Sequence, residues 1–265
     1  MIAKIVPKMK TASTAKIRGP QRLSDLLDDF GKALSVEPMG RCAKCGRSDF
    51  LVQLTSSGLC SECEHRSEQQ RLLIRRANFG GRDSQFLSEF NQNQVDSKAL
   101  EACRAWMYSR NLECPKRGLY LFGPTGSGKT FLSLGIALRE IQRHSRSVLF
   151  INLPTLFEDL IAAMSSHDES PVRLLKAART VPLLILDDVG VEHSKDWGQR
   201  KLMPILEARD PLRLPTIYTS NLSFSRQKRV PGFETLEEFL GARVADRIFK
   251  TAIPVEVPGN SLRLA

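Results

Sequence analysis

Two sets of residues in the 265-residue chain have the types and spacings that ligand chemistry requires. The first is Gly123, Pro124, Thr125, Gly126, Ser127, Gly128, Lys129 and Thr130, which fit G-x-x-x-x-G-K-[ST] in full. Glycines at this spacing let backbone N–H groups turn inward and approach a polyphosphate, and a helix starting at the end of the loop adds its positive dipole end. Lys129 is placed to reach β- and γ-phosphates, and Thr130 to ligate Mg²⁺. The second set is Cys42, Cys45, Cys60 and Cys63: C-x2-C, fourteen residues, then C-x2-C. Each C-x2-C turn can aim two thiolates at one tetrahedral Zn²⁺; an iron–sulfur cluster is the alternative occupant.

A phosphate loop binds a nucleotide but does not by itself hydrolyse it. The run Leu183–Leu186 ends in Asp187 and Asp188. Carboxylates at the C-terminal end of a buried strand stand where open α/β sheets bind ligands. Asp187 suits the Mg²⁺ shell, and Asp188 suits orienting the attacking water. Asn221 ends the later run "TIYTSN", where an amide can position that water or contact the γ-phosphate.

These residues need elements to hold them. Leu119–Phe122 reads as a buried strand and Phe131–Arg139 as the helix after the loop. "SVLFIN", "VPLLILDDVG" and "LRLPTIYTSN" read as three more strands. "LPTLFEDLIAAM" and "SPVRLLKAART" read as helices between them. Alternating helix and strand patterns predict an α/β fold with a parallel sheet flanked by helices. Upstream, "SQFLSEFNQNQVDSKALEACRAWMYSRNLECP" reads as a helical lead-in, with Cys103 on its apolar face beside Leu100, Trp106 and Met107; Cys103 and Cys114 read as inert.

The cysteine segment is too short to bury a core, so a metal is expected to supply its folding energy. "DFLVQLTSSG" suits a small hairpin joining the cysteine pairs, and His65 reads as a surface residue. "EHRSEQQRLLIRR" reads as a charged helix, broken by the glycines of "NFGGRDS". The expected organisation is a basic flexible arm with one short amphipathic helix (1–38), the zinc module (39–68), a linker (69–84) and the nucleotide domain (85–265).

Net charge is +10, with pI about 9.5. Lys and Arg number 15 against 8 Asp and Glu over residues 1–82, and 24 against 21 after it. The basic bias of the first third suits nucleic acid phosphates, or a solvated arm that aids solubility. No apolar run approaches the roughly 18 residues of a membrane span, and the basic N-terminus has no apolar h-region. A cytoplasmic, reducing location is expected, where cysteine clusters bind metal rather than form disulfides.

In order, "GPTGSGKT", "LLILDDVG", "TIYTSN", "GARVADRIFK" and "GNSLRLA" resemble the AAA+ ATPases. More narrowly they resemble the bacterial DnaC/DnaI-type helicase loaders, with the transposition ATPase IstB as a close relative. The resemblance covers about residues 85–265, and a cysteine-rich module ahead of the ATPase also resembles the DnaI type. It implies an ATPase using ATP and Mg²⁺, assembling as an ATP-dependent homo-oligomer, with a replicative DNA helicase and single-stranded DNA as partners. It further implies that Arg247 is an arginine finger reaching a neighbouring subunit's γ-phosphate, with Arg243 as the alternative, and that Arg263 reads nucleotide state as a sensor-2 arginine. Asp188 departs from the glutamate common among AAA+ proteins, although DnaI-like loaders share the Asp-Asp form. Two other readings stand beside the loader: an IstB-like transposition ATPase assembling on duplex DNA, and a zinc-containing DNA-binding protein using ATP as a switch.

Overall fold

The computed structural model describes residues 42–46, 54–79, 95–109, 117–166, 168–190, 195–224 and 234–259. The basic arm and its short helix, the lead-in before residue 95, Cys114 and Arg263 lie outside the described residues. The chain divides into two compact units, Met1–Arg66 and Ser67–Ala265.

The larger unit is built on five strands: β1 (Gly118–Phe122), β2 (Val148–Asn152), β3 (Leu183–Val189), β4 (Thr216–Ser220) and β5 (Ala252–Glu256). They form one sheet in the order β2-β3-β4-β1-β5, every neighbouring pair parallel. Near-continuous apolar runs suit this arrangement, because helices cover both faces of a parallel sheet. Successive strand residues point to opposite faces, and the core divides accordingly. Tyr120, Phe122, Leu184, Leu186 and Tyr218 join one apolar cluster. Leu119, Leu121, Leu183, Ile185 and Ile217 join the other.

The described helices are α1 (Ser61–Arg76), α2 (Ser97–Ser109), α3 (Lys129–His144), α4 (Leu153–Ser166), α5 (Ser170–Ala178), α6 (Lys195–Arg209), α7 (Leu236–Leu240) and α8 (Ala242–Thr251). Helices α2 and α3 bury Cys103, Trp106, Leu134 and Ile141 in the second cluster. On the opposite face α4, α6, α7 and α8 contribute Leu156, Leu202, Ile205, Leu240 and Ile248. Among the described residues, no helix is long and apolar enough to cross a membrane.

The four strands expected from sequence are present, and the structure adds β5. Its Pro254 argues against a strand, since proline cannot donate to a ladder. The objection lapses at a sheet edge, where, among the described residues, β5 pairs only with β1 and Pro254 sits opposite Tyr120.

Arg209, the last residue of α6, is 2% exposed. Its guanidinium donates to Thr216 Oγ1 and to the carbonyls of Ala178, Val181 and Pro215 at 2.8–2.9 Å. Burial lowers its pKa to about 10, so the group stays charged at neutral pH. It ties the end of α5 to the start of the central strand β4, at the opposite end of the strands from the phosphate loop.

Candidate functional site

The loop Gly123–Gly128 joins the C-terminal end of β1 to the first turn of α3, the strand–loop–helix context that the motif requires. Gly123 has φ 153°, and a Cβ there would lie 2.2 Å from the Val257 carbonyl oxygen. Only glycine lets the C-terminal segment pass so close; Val257 N donates to Phe122 O at 2.7 Å alongside it. Gly128, in left-handed backbone (φ 98°), caps α3 without a side-chain bond. The positive dipole end of α3 therefore opens onto the loop with no side-chain cap across it.

Lys129 is buried, its Nζ donating to Gly123 O at 3.0 Å and Pro124 O at 2.7 Å. The ammonium thus lies within the curl of the loop. Ser127 is 2% exposed, and its hydroxyl finds no hydrogen-bond partner among the described residues. A buried hydroxyl without a partner costs free energy. A buried cation, an orphaned hydroxyl and a positive helix end in one cradle fit a polyphosphate anion.

Asp187 and Asp188 stand at the C-terminal end of β3. Asp187 is fully buried, and Thr130 Oγ1 donates to its Oδ1 at 2.8 Å. This contact brings together the loop threonine and the strand carboxylate expected to share a divalent cation. Burial pushes the Asp187 carboxyl above its ordinary pKa, and the neighbouring Asp188 charge adds to this. Hydrogen bonds from Thr219, Thr130 and Asn152 oppose the shift. A buried carboxylate of this kind gains from a cation beside it.

Asp188 is half-buried and adopts left-handed backbone with φ 60°. The β3–β4 register explains this. Leu186 pairs with Tyr218 and Val189 with Ser220, so Asp187 and Asp188 together face the single residue Thr219. The bulge puts the second aspartate in left-handed backbone and leaves it half-buried, whereas the first is fully buried. Asn221 follows Ser220, which pairs with both Phe122 of β1 and Val189 of β3. It therefore follows the residue of β4 that lies between the phosphate loop's strand and the acid-bearing strand.

Sequence reasoning missed Asn152. It ends β2 opposite Asp187. Its Nδ2 donates to Asp188 Oδ2 at 3.1 Å and to Asp187 Oδ2 at 3.4 Å. Its Oδ1 accepts from Thr155 N and Oγ1 at 3.2 and 2.8 Å, which orients the amide toward the acids. The available signal was a lone polar residue closing the apolar run "SVLFIN".

Arg243 and Arg247 lie one turn apart on α8. Arg247 is ion-paired with Asp210 within the chain. Arg243 meets Glu207 at 3.1 Å with its own side chain 81% exposed.

In the smaller unit, the thiols of Cys42, Cys45, Cys60 and Cys63 all lie within 4.8 Å of one another. Gly46 and Gly58, both at φ 73°, allow the tight turns beside the two cysteine pairs. Of the expected hairpin, the described part is the Leu54–Cys60 antiparallel bridge with its turn. Cys63 lies in the first turn of α1, where the hydrogen-bonded Cys60 thiol, and then burial, push its thiol up to about 12. Backbone N–H groups of Cys45, then Cys60, hold the Cys42 thiol down at about 6. Cys45 and Cys60 sulfurs are 3.8 Å apart, and a tetrahedron with metal–sulfur arms of about 2.3 Å has edges of about 3.8 Å. The four sulfurs are positioned to bind a metal. His65 is exposed on α1 and Cys103 is buried, as their surroundings in the sequence indicated.

The family model described as IstB-like ATP binding protein matches residues 41–265. The replicative helicase loader DnaI of Bacillus subtilis is 31% identical over 151 residues, 56% of this chain and 48% of that protein. The insertion sequence ATP-binding protein y4pL of Sinorhizobium fredii is 34% identical over 145 residues, 55% of this chain and 56% of that one. The chain spans about half the length of the curated relatives it matches. Among solved structures, DnaI superposes with a TM-score of 0.52 at 29% identity, covering 71% of this chain and 93% of that one. The DnaC helicase loader does so with a TM-score of 0.50 at 25% identity, covering 63% and 92%. With its parallel five-stranded sheet, its complete phosphate loop and a family match running over most of its length, the chain belongs to the IstB-like ATP-binding branch of the AAA+ ATPases.

Proposed function

We propose that the chain hydrolyses ATP with Mg²⁺ and uses the cycle to load or remodel a replicative DNA helicase. The observation that carries the ATPase is the Thr130–Asp187 contact at 2.8 Å, with Asp188 next in the chain in left-handed backbone. Gly123–Thr130 would hold the phosphates, Thr130 and Asp187 the Mg²⁺, and Asp188 and Asn221 the attacking water. Arg247, or Arg243, would reach the phosphate of a neighbouring copy in a homo-oligomer, and Arg263 would sense nucleotide state. Cys42, Cys45, Cys60 and Cys63 would hold one Zn²⁺. In this reading the chain would be organised as an arm at 1–38, the zinc module at 39–68, a linker at 69–84 and the ATPase at 85–265.

The loader role is supported by the likeness to DnaI and DnaC in sequence and in fold. The IstB-like family match and the 34% identity to y4pL favour a second reading, an insertion-sequence ATPase on duplex DNA. One experiment separates them. The purified chain is mixed with the host's replicative helicase, single-stranded DNA or duplex DNA, with ATP or ADP, and complexes are resolved by sedimentation. An ATP-dependent complex with helicase and single-stranded DNA supports the loader. ATP-dependent filaments on duplex DNA, with no helicase bound, overturn it in favour of the second reading.

A further inference from the structure

The bulge that puts Asp188 in left-handed backbone is held by side chains where the sheet ladder shifts register. Two residues of β3, Asp187 and Asp188, face one residue of β4, Thr219. Thr219 is fully buried. Its hydroxyl donates to Asp187 Oδ1 at 2.6 Å and accepts from the Asp188 backbone N–H at 3.0 Å. One hydroxyl therefore touches both acids, one through its carboxylate and the other through its main chain. The next residue repeats the device. Ser220 Oγ donates to Val189 O and accepts from Leu222 N at 3.0 Å.

We infer that Thr219 is a positioning residue for ATP hydrolysis: it sets the direction of Asp188 by holding the bulge, with Ser220 securing the strand just beyond. Left-handed backbone is unfavourable for an aspartate unless the surroundings impose it. A bulge leaves ladder groups without their regular partners. The Asp188 N–H is such a group, and Thr219 Oγ1 supplies its acceptor. The same oxygen keeps the Asp187 carboxylate facing Thr130, so both acids are fixed from one atom. Valine has the size of threonine without the hydroxyl. In its place the Asp188 N–H would be buried without this partner, and the bulge would be free to relax toward regular pairing.

The inference rests on the ATPase reading above, and the test keeps the two apart. Steady-state ATPase and binding of a fluorescent ATP analogue are measured on the full chain as wild type, Thr219→Val, Thr219→Ala and Thr219→Ser. Thermal melting is recorded for each. A wild-type chain that binds ATP without hydrolysing it defeats the ATPase reading itself. Given an active wild type, Thr219→Val is expected to lower kcat by about tenfold or more, the scale of one hydrogen bond to a charged or buried group. Affinity for the analogue should fall much less than kcat, because Gly123–Lys129, which would hold the phosphates, keep their contacts. Thr219→Ser keeps the hydroxyl and should retain most of the kcat. Thr219→Ala removes it without placing a methyl against the carboxylate, and serves if the valine variant does not fold. Unchanged kcat in both hydroxyl-free variants overturns the inference. So does a fall in Thr219→Ser equal to that in Thr219→Val, which would assign the effect to packing.

Discussion

Around the phosphate loop, each ligand-facing residue leans on a sheet whose strands are buried on both faces. Around the four thiols, the ligating atoms are themselves most of the buried core. The β1 strand beneath the loop is wholly buried, and apolar clusters lie on both sides of the sheet. The cysteine unit offers Cys42, Cys60 and Cys63, with Leu54 and Leu59 packed against them. The first region can hold its shape before any ligand arrives and spend its ligand contacts on chemistry. The described residues of the second offer little apolar area to offset chain entropy, so a metal held there would supply folding energy.

Metal removal probes this difference most strongly. One zinc per chain is expected by elemental analysis. Structural zinc in small modules contributes an apparent 10–16 kcal/mol or so, so a chelator should abolish hydrogen-exchange protection across residues 42–63 while ATP binding persists. Protection that survives chelation would show that the cysteine unit folds without metal and would erase the contrast.

Next in size are the substitutions that strip the nucleotide site of function without unfolding it. Lys129→Ala is expected to lose nucleotide binding. Asp188→Asn should bind ATP and turn over about 10²–10⁴ times more slowly, the range for a positioned acid or base. Melting temperatures close to wild type should accompany both, since the sheet supports these residues rather than the reverse. Steady-state ATPase unaltered in the two variants would remove the catalytic assignment.

Gly123→Ala tests how closely the loop depends on its scaffold. The added methyl would overlap the Val257 carbonyl at a φ that L-residues rarely adopt. A loss of about 3 kcal/mol is expected, read as a lowered denaturation midpoint with weakened ATP binding. A stable variant with normal binding would mean the C-terminal segment moves aside freely.

The smallest expected effect asks whether the nucleotide site is complete within one chain. Arg247→Ala should bind ATP normally yet lose about tenfold or more in ATPase and in ATP-dependent assembly; arginine fingers elsewhere contribute far more. Mixing it with Lys129→Ala should restore part of the rate, because a mixed interface can pair an intact loop with an intact arginine. Asp210→Ala supplies the control, since it breaks the same ion pair and leaves Arg247 in place. If Asp210→Ala loses as much as Arg247→Ala, and no mixing ratio exceeds the sum of the separate mutants, the arginine acts within its own chain.

The residues that carry dense local patterns were legible from sequence. The phosphate loop needs glycines at fixed offsets, and C-x2-C pairs need a fixed spacing, so eight and four residues respectively announce themselves. The buried strands were legible because a parallel sheet demands apolar runs. What stayed hidden depends on register between distant segments. Asn152 matters because β2 lies beside β3 with Asn152 opposite Asp187; its neighbours in sequence say nothing of this. Thr219 reads as an ordinary β-branched strand residue until the bulge sets it against two acids. The edge strand β5 was masked by Pro254, whose cost disappears only once its place in the sheet is known. Arg243 and Arg247 look like a solvated pair along one helix, yet each meets an acid at the end of α6 or just past it.

Arg209 carries a lesson for any search for inactive variants. Its guanidinium satisfies three carbonyls and a hydroxyl at the end of the sheet away from the nucleotide loop. No uncharged side chain can replace all four bonds, and lysine lacks the planar fork. A random-mutagenesis screen scored only on ATP turnover would recover changes at Arg209 alongside those at Lys129 and Asp188. Scoring soluble yield in the same screen separates them: losses at Arg209 should track with missing protein, whereas losses at the loop and the acids should come from protein present in normal amount. A buried arginine can thus pass for catalytic machinery while serving only to join a helix to a strand.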